Sequence, residues 1–124
     1  MPSIEEARFL SGQSELPEVA RFFKSMGATH CIFKCGAEGS YISTPERAFS
    51  LPAHEISVSD TTGCGDSYCG GFIAGLSMGQ SVEDACKLGT ATAALVATGL
   101  GSDAGVVNFA QTTEFMNSTP TLQN

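Results

Sequence analysis

A chain of 124 residues, 42% of them hydrophobic and with 14 glycines, has room for one domain with a modest core and is composed like a globular protein. Thirteen acidic against six basic residues give a formal net charge of −7, which argues against nucleic acid or an anionic membrane as a general partner. A nucleotide, held by local geometry, stays open. The cysteine count is odd, no signal peptide is visible, and the longest apolar stretch, Ala91 to Leu100, is too short to span a bilayer, so a reduced cytoplasmic protein is expected. Neither Cys31 with Cys35 nor Cys64 with Cys69 makes a Cys-x-x-Cys pair, and His30 and His54 are scattered and read as structural or surface residues.

In chain order, Ile4 to Leu10 predicts a short helix ending near Gly12. Ser14 to Met26 predicts a second, with Leu16, Val19, Ala20, Phe22, Phe23 and Met26 on its apolar side, Pro17 in the first turn and Gly27 as its stop. His30 to Cys35 is nearly all apolar, the pattern of a strand covered on both faces. Ser40–Ser43 and Ala48–Leu51 predict a hairpin around Thr44-Pro45-Glu46-Arg47, with Pro45 at the second turn position. Ile56–Val58 is a further short strand. Gly65–Met78 follows as a helix with Cys69, Phe72, Ile73 and Leu76 on one face, and Gly70, Gly71 and Gly75 as points of close backbone packing.

Ser81 and Asp84 open another helix, buried along Val82, Ala85, Leu88, Gly89, Thr92, Leu95 and Val96, with small residues permitting tight contact. Asn108 caps a last helix through Met116, and residues 118–124 are expected to fray. No repeat or linker interrupts the block, so residues 1–124 read as a single domain. The order of elements is that of an α/β layer architecture, helices on the faces of a sheet.

The chemistry concentrates at Ser59-Asp-Thr-Thr-Gly-Cys-Gly-Asp-Ser-Tyr-Cys-Gly-Gly-Phe72. Gly63-Cys64-Gly65 stands where a strand ends and a helix begins. Glycines allow a tight turn there, and the first-turn N–H groups of a helix form an anion site. Asp66 beside such a site either caps the helix or accepts a proton from a hydroxyl attacking a phosphoryl group. A dinucleotide-binding reading is disfavoured, since the third glycine of that fingerprint is missing and an acid sits at the anion site.

Asp60 to Phe72 resembles the C-terminal signature of the PfkB (ribokinase-like) carbohydrate kinases, D-T-T-G-A-G-D-x-F-x-x-G-F, departing only at Cys64 and Tyr68. The resemblance implies a ribokinase-like three-layer, Rossmann-like α/β fold, with Asp66 as catalytic base and Gly63, Cys64 and Gly65 as the anion hole. It further implies that Asp60 and Thr62 help hold a monovalent cation such as K⁺. Lys34-Cys-Gly36-Ala-Glu38-Gly39 resembles the family's (T/K)-x-G-x-x-G segment along the nucleotide phosphates; read alone, Lys34 marks the solvent end of a strand.

Pro2-Ser-Ile-Glu-Glu6-Ala-Arg-Phe-Leu-Ser-Gly12 is similar to the family's P-N-x-x-E-A-x-x-L-T-G segment, with Ser3 in place of asparagine. Glu6 then matches the glutamate that positions Mg²⁺ and phosphate through water, while the residues by themselves also spell a capping box. Gly89–Gly101 resembles the small-residue helix and glycine turn beside the adenine. Thr90 falls near the base, and Thr98 and Gly101 near the cation turn, though such a helix also reads as mere close packing. The family's sugar-binding and lid segments lie upstream of what the resemblance covers, which fits a truncated gene, a fragment or a natural half-protein. The expected activity is phosphoryl transfer from MgATP to a sugar hydroxyl. The other expectation is a nucleotide-binding remnant without chemistry of its own, its open strand edges covered by self-association.

Overall fold

The computed structural model describes residues 1–54 and 64–97, together with residues 113, 114, 116, 117 and 121. The described contacts divide the chain into two compact units, Met1–Leu51 and Pro52–Asn124. The expected Ile56–Val58 strand lies outside the described residues. Of the expected last helix, Thr113, Glu114 and Met116 are described, and all three are helical.

The first unit opens with helix α1 (Ile4–Ser11) and helix α2 (Leu16–Ser25). Local chemistry sets the ends of α1. Ser3 caps it through a reciprocal capping box with Glu6, and Gly12 closes it in the left-handed conformation, φ 71°. In α2, Pro17 sits in the first turn, where its missing N–H is not required. Strand β1 (Cys31–Lys34), a short 3₁₀ turn (Gly36–Glu38), β2 (Ser40–Ser43) and β3 (Ala48–Leu51) follow. They form an antiparallel meander in the order β1-β2-β3, with Phe33 opposite Tyr41 and Tyr41 opposite Ser50.

The hairpin strands occupy the expected residues, and the turn is closed by Thr44, whose N–H donates to the Arg47 carbonyl at 2.8 Å. The expected strand over His30–Cys35 forms as β1, buried at Cys31, Ile32 and Phe33. Its ladder with β2 is antiparallel. Parallel pairing of β1 is confined, among the described residues, to the bridge between Ser3 and Lys34. Cys31 and Phe33 pack with Ile4, Ala7, Val19 and Ala20, so one face of the sheet carries both helices. Phe23, Phe33 and Tyr41 extend this core as a run of ring contacts, Phe33 and Tyr41 stacked nearly parallel at 6.3 Å.

The second unit is built on helices α3 (Cys64–Ser77) and α4 (Val82–Ala97), joined by a turn through Gly79. Ser81 caps α4, its Oγ accepting from the Asp84 N–H at 3.1 Å. The buried side of α3 is Tyr68, Gly71, Phe72 and Gly75, while Ile73 and Leu76 are exposed. This corrects the expected apolar face. Glycines let α3 approach α4 backbone to backbone, and hydropathy does not register a face made of absent side chains. A Cβ at Gly71 would lie 2.5 Å from Thr92 Oγ1 and one at Gly75 2.9 Å from Ala85 Cα, so both are points of close packing. Gly70 is not; a Cβ there meets nothing within 4 Å. Among the described residues no helix is long and apolar enough to cross a membrane.

Candidate active site

The first unit brings two sequence motifs to one place. Lys34 ends β1; its N–H donates to the Pro2 carbonyl at 3.1 Å, and its residue pairs in parallel with Ser3. Glu6, one turn into α1, lies close enough to Lys34 for the two charges to interact. Both Ser3 N–H (3.1 Å) and Ser3 Oγ (2.9 Å) donate to Glu6 Oε1, and Glu6 N–H donates back to Ser3 Oγ at 3.3 Å. These bonds, the backbone one first, hold the Glu6 carboxyl below its ordinary value, with the Lys34 charge acting in the same direction. Oε2 stays outside the capping box. An exposed, ionised carboxylate with one oxygen outside its local bonds suits a hydrated divalent cation, so the residues present fit Mg²⁺ held through water. The capping box that Ser3 and Glu6 spell in the sequence is formed at the start of α1.

Beyond Lys34 the chain turns at once. Gly36 (φ 60°) and Gly39 (φ 88°, ψ −135°) both have positive φ, the second in a region open essentially to glycine. The loop closes on itself through Cys35 N–H to the Gly39 carbonyl (2.7 Å) and Gly39 N–H to the Gly36 carbonyl (3.0 Å). The Gly-x-x-Gly spacing is thus a backbone requirement of this turn. Glu38 is exposed within it, and Cys35 is a half-buried thiol pushed above its ordinary value by desolvation, with the Glu38 charge adding to it.

In the second unit α3 begins at Cys64, which puts Gly65 and Asp66 in its first turn, Asp66 exposed. That turn directs backbone N–H groups along the helix axis and favours a carboxylate. Asp66 is therefore available to solvent and ligands rather than consumed in the core. Thr90, on α4, donates its hydroxyl to the Cys86 carbonyl at 2.8 Å, so its proton is committed to its own helix. Gly63, Asp60, Thr62, Thr98 and Gly101 lie outside the described residues. His30 is exposed and bonded to Thr29 at 3.0 Å, and His54 is buried in a bridge with Thr121.

Residues 1–108 match the family described as pfkB family carbohydrate kinase. The 2-dehydro-3-deoxygluconokinase of Bacillus subtilis is 30% identical over 122 residues, covering 98% of this chain and 38% of the relative. The crystal structure of ribokinase from Thermotoga maritima superposes with a TM-score of 0.88 at 28% identity, over 94% of this chain and 41% of that one. A double mutant of fructokinase from Vibrio cholerae O395, solved with fructose, ADP and a potassium ion, gives 0.83 at 27% identity, over 92% of this chain and 39% of that one. The chain thus spans about two fifths of the length of the proteins it resembles, and its architecture is that of the ribokinase-type α/β kinases.

Proposed function

The chain belongs to the pfkB family of carbohydrate kinases, and we propose that it is the nucleotide-binding, base-bearing portion of an ATP-dependent sugar kinase. The observation that carries this reading is Asp66, exposed in the first turn of α3 directly after the glycine pair. Phosphoryl transfer asks mainly for positioning and charge stabilisation. The backbone N–H groups of Gly63, Cys64 and Gly65 meet charge developing on the transferred group. Asp66 takes the proton of the acceptor hydroxyl as its oxygen bonds to the γ-phosphorus and the bond to the bridging oxygen breaks, releasing ADP.

Lys34 and the Gly36–Gly39 turn, with Glu38 at its surface, line the nucleotide phosphates, and Thr90 lies near the base. Mg²⁺, when bound, neutralises phosphate charge; Glu6 orients its water shell. Asp60, Thr62, Thr98 and Gly101 are assigned to a monovalent cation, K⁺, on the family resemblance. The potassium ion reported with the Vibrio fructokinase supports the use of such a cation, the residues resting on the resemblance alone.

Calorimetric titration with a non-hydrolysable ATP analogue, with and without Mg²⁺ and K⁺, tests the nucleotide site. A coupled ADP assay over a panel of sugars tests the chemistry. Micromolar to low-millimolar binding supports the reading, and no binding leaves kinase ancestry without kinase function. A second reading, a nucleotide-binding piece inactive alone, is favoured by the exposed apolar Ile73, Leu76 and Met78 on and just after α3. Self-association through such surfaces is its expected consequence.

A further inference from the structure

We infer that Tyr68 is a positioning residue for Asp66. Its ring, seated on the bare backbone of Gly89, and its hydroxyl, bonded to Cys86, anchor the first turn of α3 to α4. The Asp66 carboxylate and the N–H groups beside it are thereby held in place. The inference rests on the kinase reading above and deepens it, giving a role to a residue that departs from the family signature.

The first turn of α3 has little to hold it by itself. It opens Cys64-Gly65-Asp66-Ser67, and Gly70 and Gly71 follow within the next turn, so intrinsic helix propensity is poor. Gly65 and Asp66 are exposed, and from Gly65 onward Tyr68 is the first buried residue. A helix end of this kind frays unless packing ties it down. Tyr68 ties it at two points. Its carbonyl and ring occupy the space that a side chain at Gly89 would need, a Cβ there falling 2.8 Å from the carbonyl oxygen and 3.2 Å from the ring. Its hydroxyl is hydrogen-bonded to Cys86, three residues earlier on α4 and fully buried. Positions three apart lie on one helix face, so a single face of α4 receives the whole tyrosine. Phenylalanine, the family's residue here, would fill the same groove without the directional tie to Cys86. Asp66 stands two residues ahead of this anchor. A first turn that opens displaces the base together with the N–H groups that meet the transferred phosphoryl. Loss of one net hydrogen bond raises the population of the open turn about two- to tenfold.

ADP and a non-hydrolysable ATP analogue differ in the γ-phosphate, the group that the first turn of α3 meets on this reading. The ratio of their affinities therefore reports that turn, which packing stability alone would not move. The full chain, Tyr68→Phe, Cys86→Ala and the double variant are titrated with both nucleotides in Mg²⁺, and their thermal unfolding is recorded. Amide hydrogen exchange is followed at Tyr68 and Cys69, whose helical hydrogen bonds close the first turn. Each single variant should lower the preference for the ATP analogue about two- to tenfold and speed exchange by a similar factor, with ADP affinity unchanged. The double variant should add little to either, since both remove one bond. If Tyr68→Phe melts earlier but keeps the full preference, or if exchange at the two amides is unaltered, Tyr68 packs the helix pair and positions nothing. Either result leaves the kinase reading standing. If the unaltered chain binds neither nucleotide, the kinase reading falls and this inference with it.

Discussion

Gly89 of α4 lies directly on the Tyr68 main chain of α3: a Cβ added to Gly89 would sit 2.8 Å from the Tyr68 carbonyl oxygen and 3.2 Å from its ring. Backbone is the obstacle here, so no side chain can swing away. Gly89→Ala is expected to destabilise the α3–α4 unit by about 1–3 kcal/mol, the overpacking cost exceeding alanine's gain in helix propensity. Gly70, exposed on the opposite side of α3 with open space around it, should respond with the other sign. Gly70→Ala should stabilise by about 0.5–1 kcal/mol. Denaturant midpoints of the two variants check both, and equal shifts would refute the close contact.

Asp66→Asn keeps the size of the side chain and its place in the first turn of α3 but removes the proton acceptor. Phosphoryl transfer by any active form of the protein should fall by about 10²–10⁴-fold, with nucleotide affinity largely preserved. Turnover measured beside calorimetric binding separates the two. Activity that survives nearly intact would take Asp66 out of the base role.

At Gly39, φ 88° and ψ −135° admit an alanine only with strain. Gly39→Ala should cost about 1–3 kcal/mol of stability or open the turn after Lys34. Weaker binding of the ATP analogue is then expected, with the α3–α4 unit unaffected. Hydrogen exchange at the Cys35 and Gly39 amides, which close the loop, reports the opening directly.

Cys86 is fully buried and its thiol is pushed up to about 11, chiefly by desolvation, with Tyr68 as a hydrogen-bond partner acting the other way. In the unfolded chain the thiol ionises near its ordinary value of 9.0. Its contribution to stability is therefore whole below pH 9 and is lost as pH rises towards 11. A Cys86→Ala variant should show a flatter alkaline limb in a stability–pH profile. At pH 8 native Cys86 should resist iodoacetamide until the unit unfolds, and labelling as fast as that of an exposed cysteine would contradict its burial.

Much of the first unit could be read from the residues because its determinants are local. Ser-x-x-Glu before an apolar run makes the capping box at Ser3 and Glu6, and glycine at position 12 ends α1. The β2–β3 hairpin falls on the expected residues because its turn chemistry, Thr44 to Arg47, lies within the turn itself. The signature around Asp66 carried the family, since a pattern over thirteen consecutive positions is specific to a family without any knowledge of packing.

What pairs with what was decided only in three dimensions. Periodicity put Ile73 and Leu76 inward on α3, yet both are exposed and the helix turns Gly71 and Gly75 to its partner. A close helix contact depends on the shape of a second surface distant in sequence, and apolar content along one helix is blind to it. The neighbours of Lys34 likewise follow from topology. Ser3 and Glu6 approach it because the chain entering α1 lies alongside the end of β1, a pairing whose contributors stand far apart in sequence. Local hydrogen-bonding chemistry is written residue by residue, whereas long-range contact is a property of surfaces that exist only once the chain has folded.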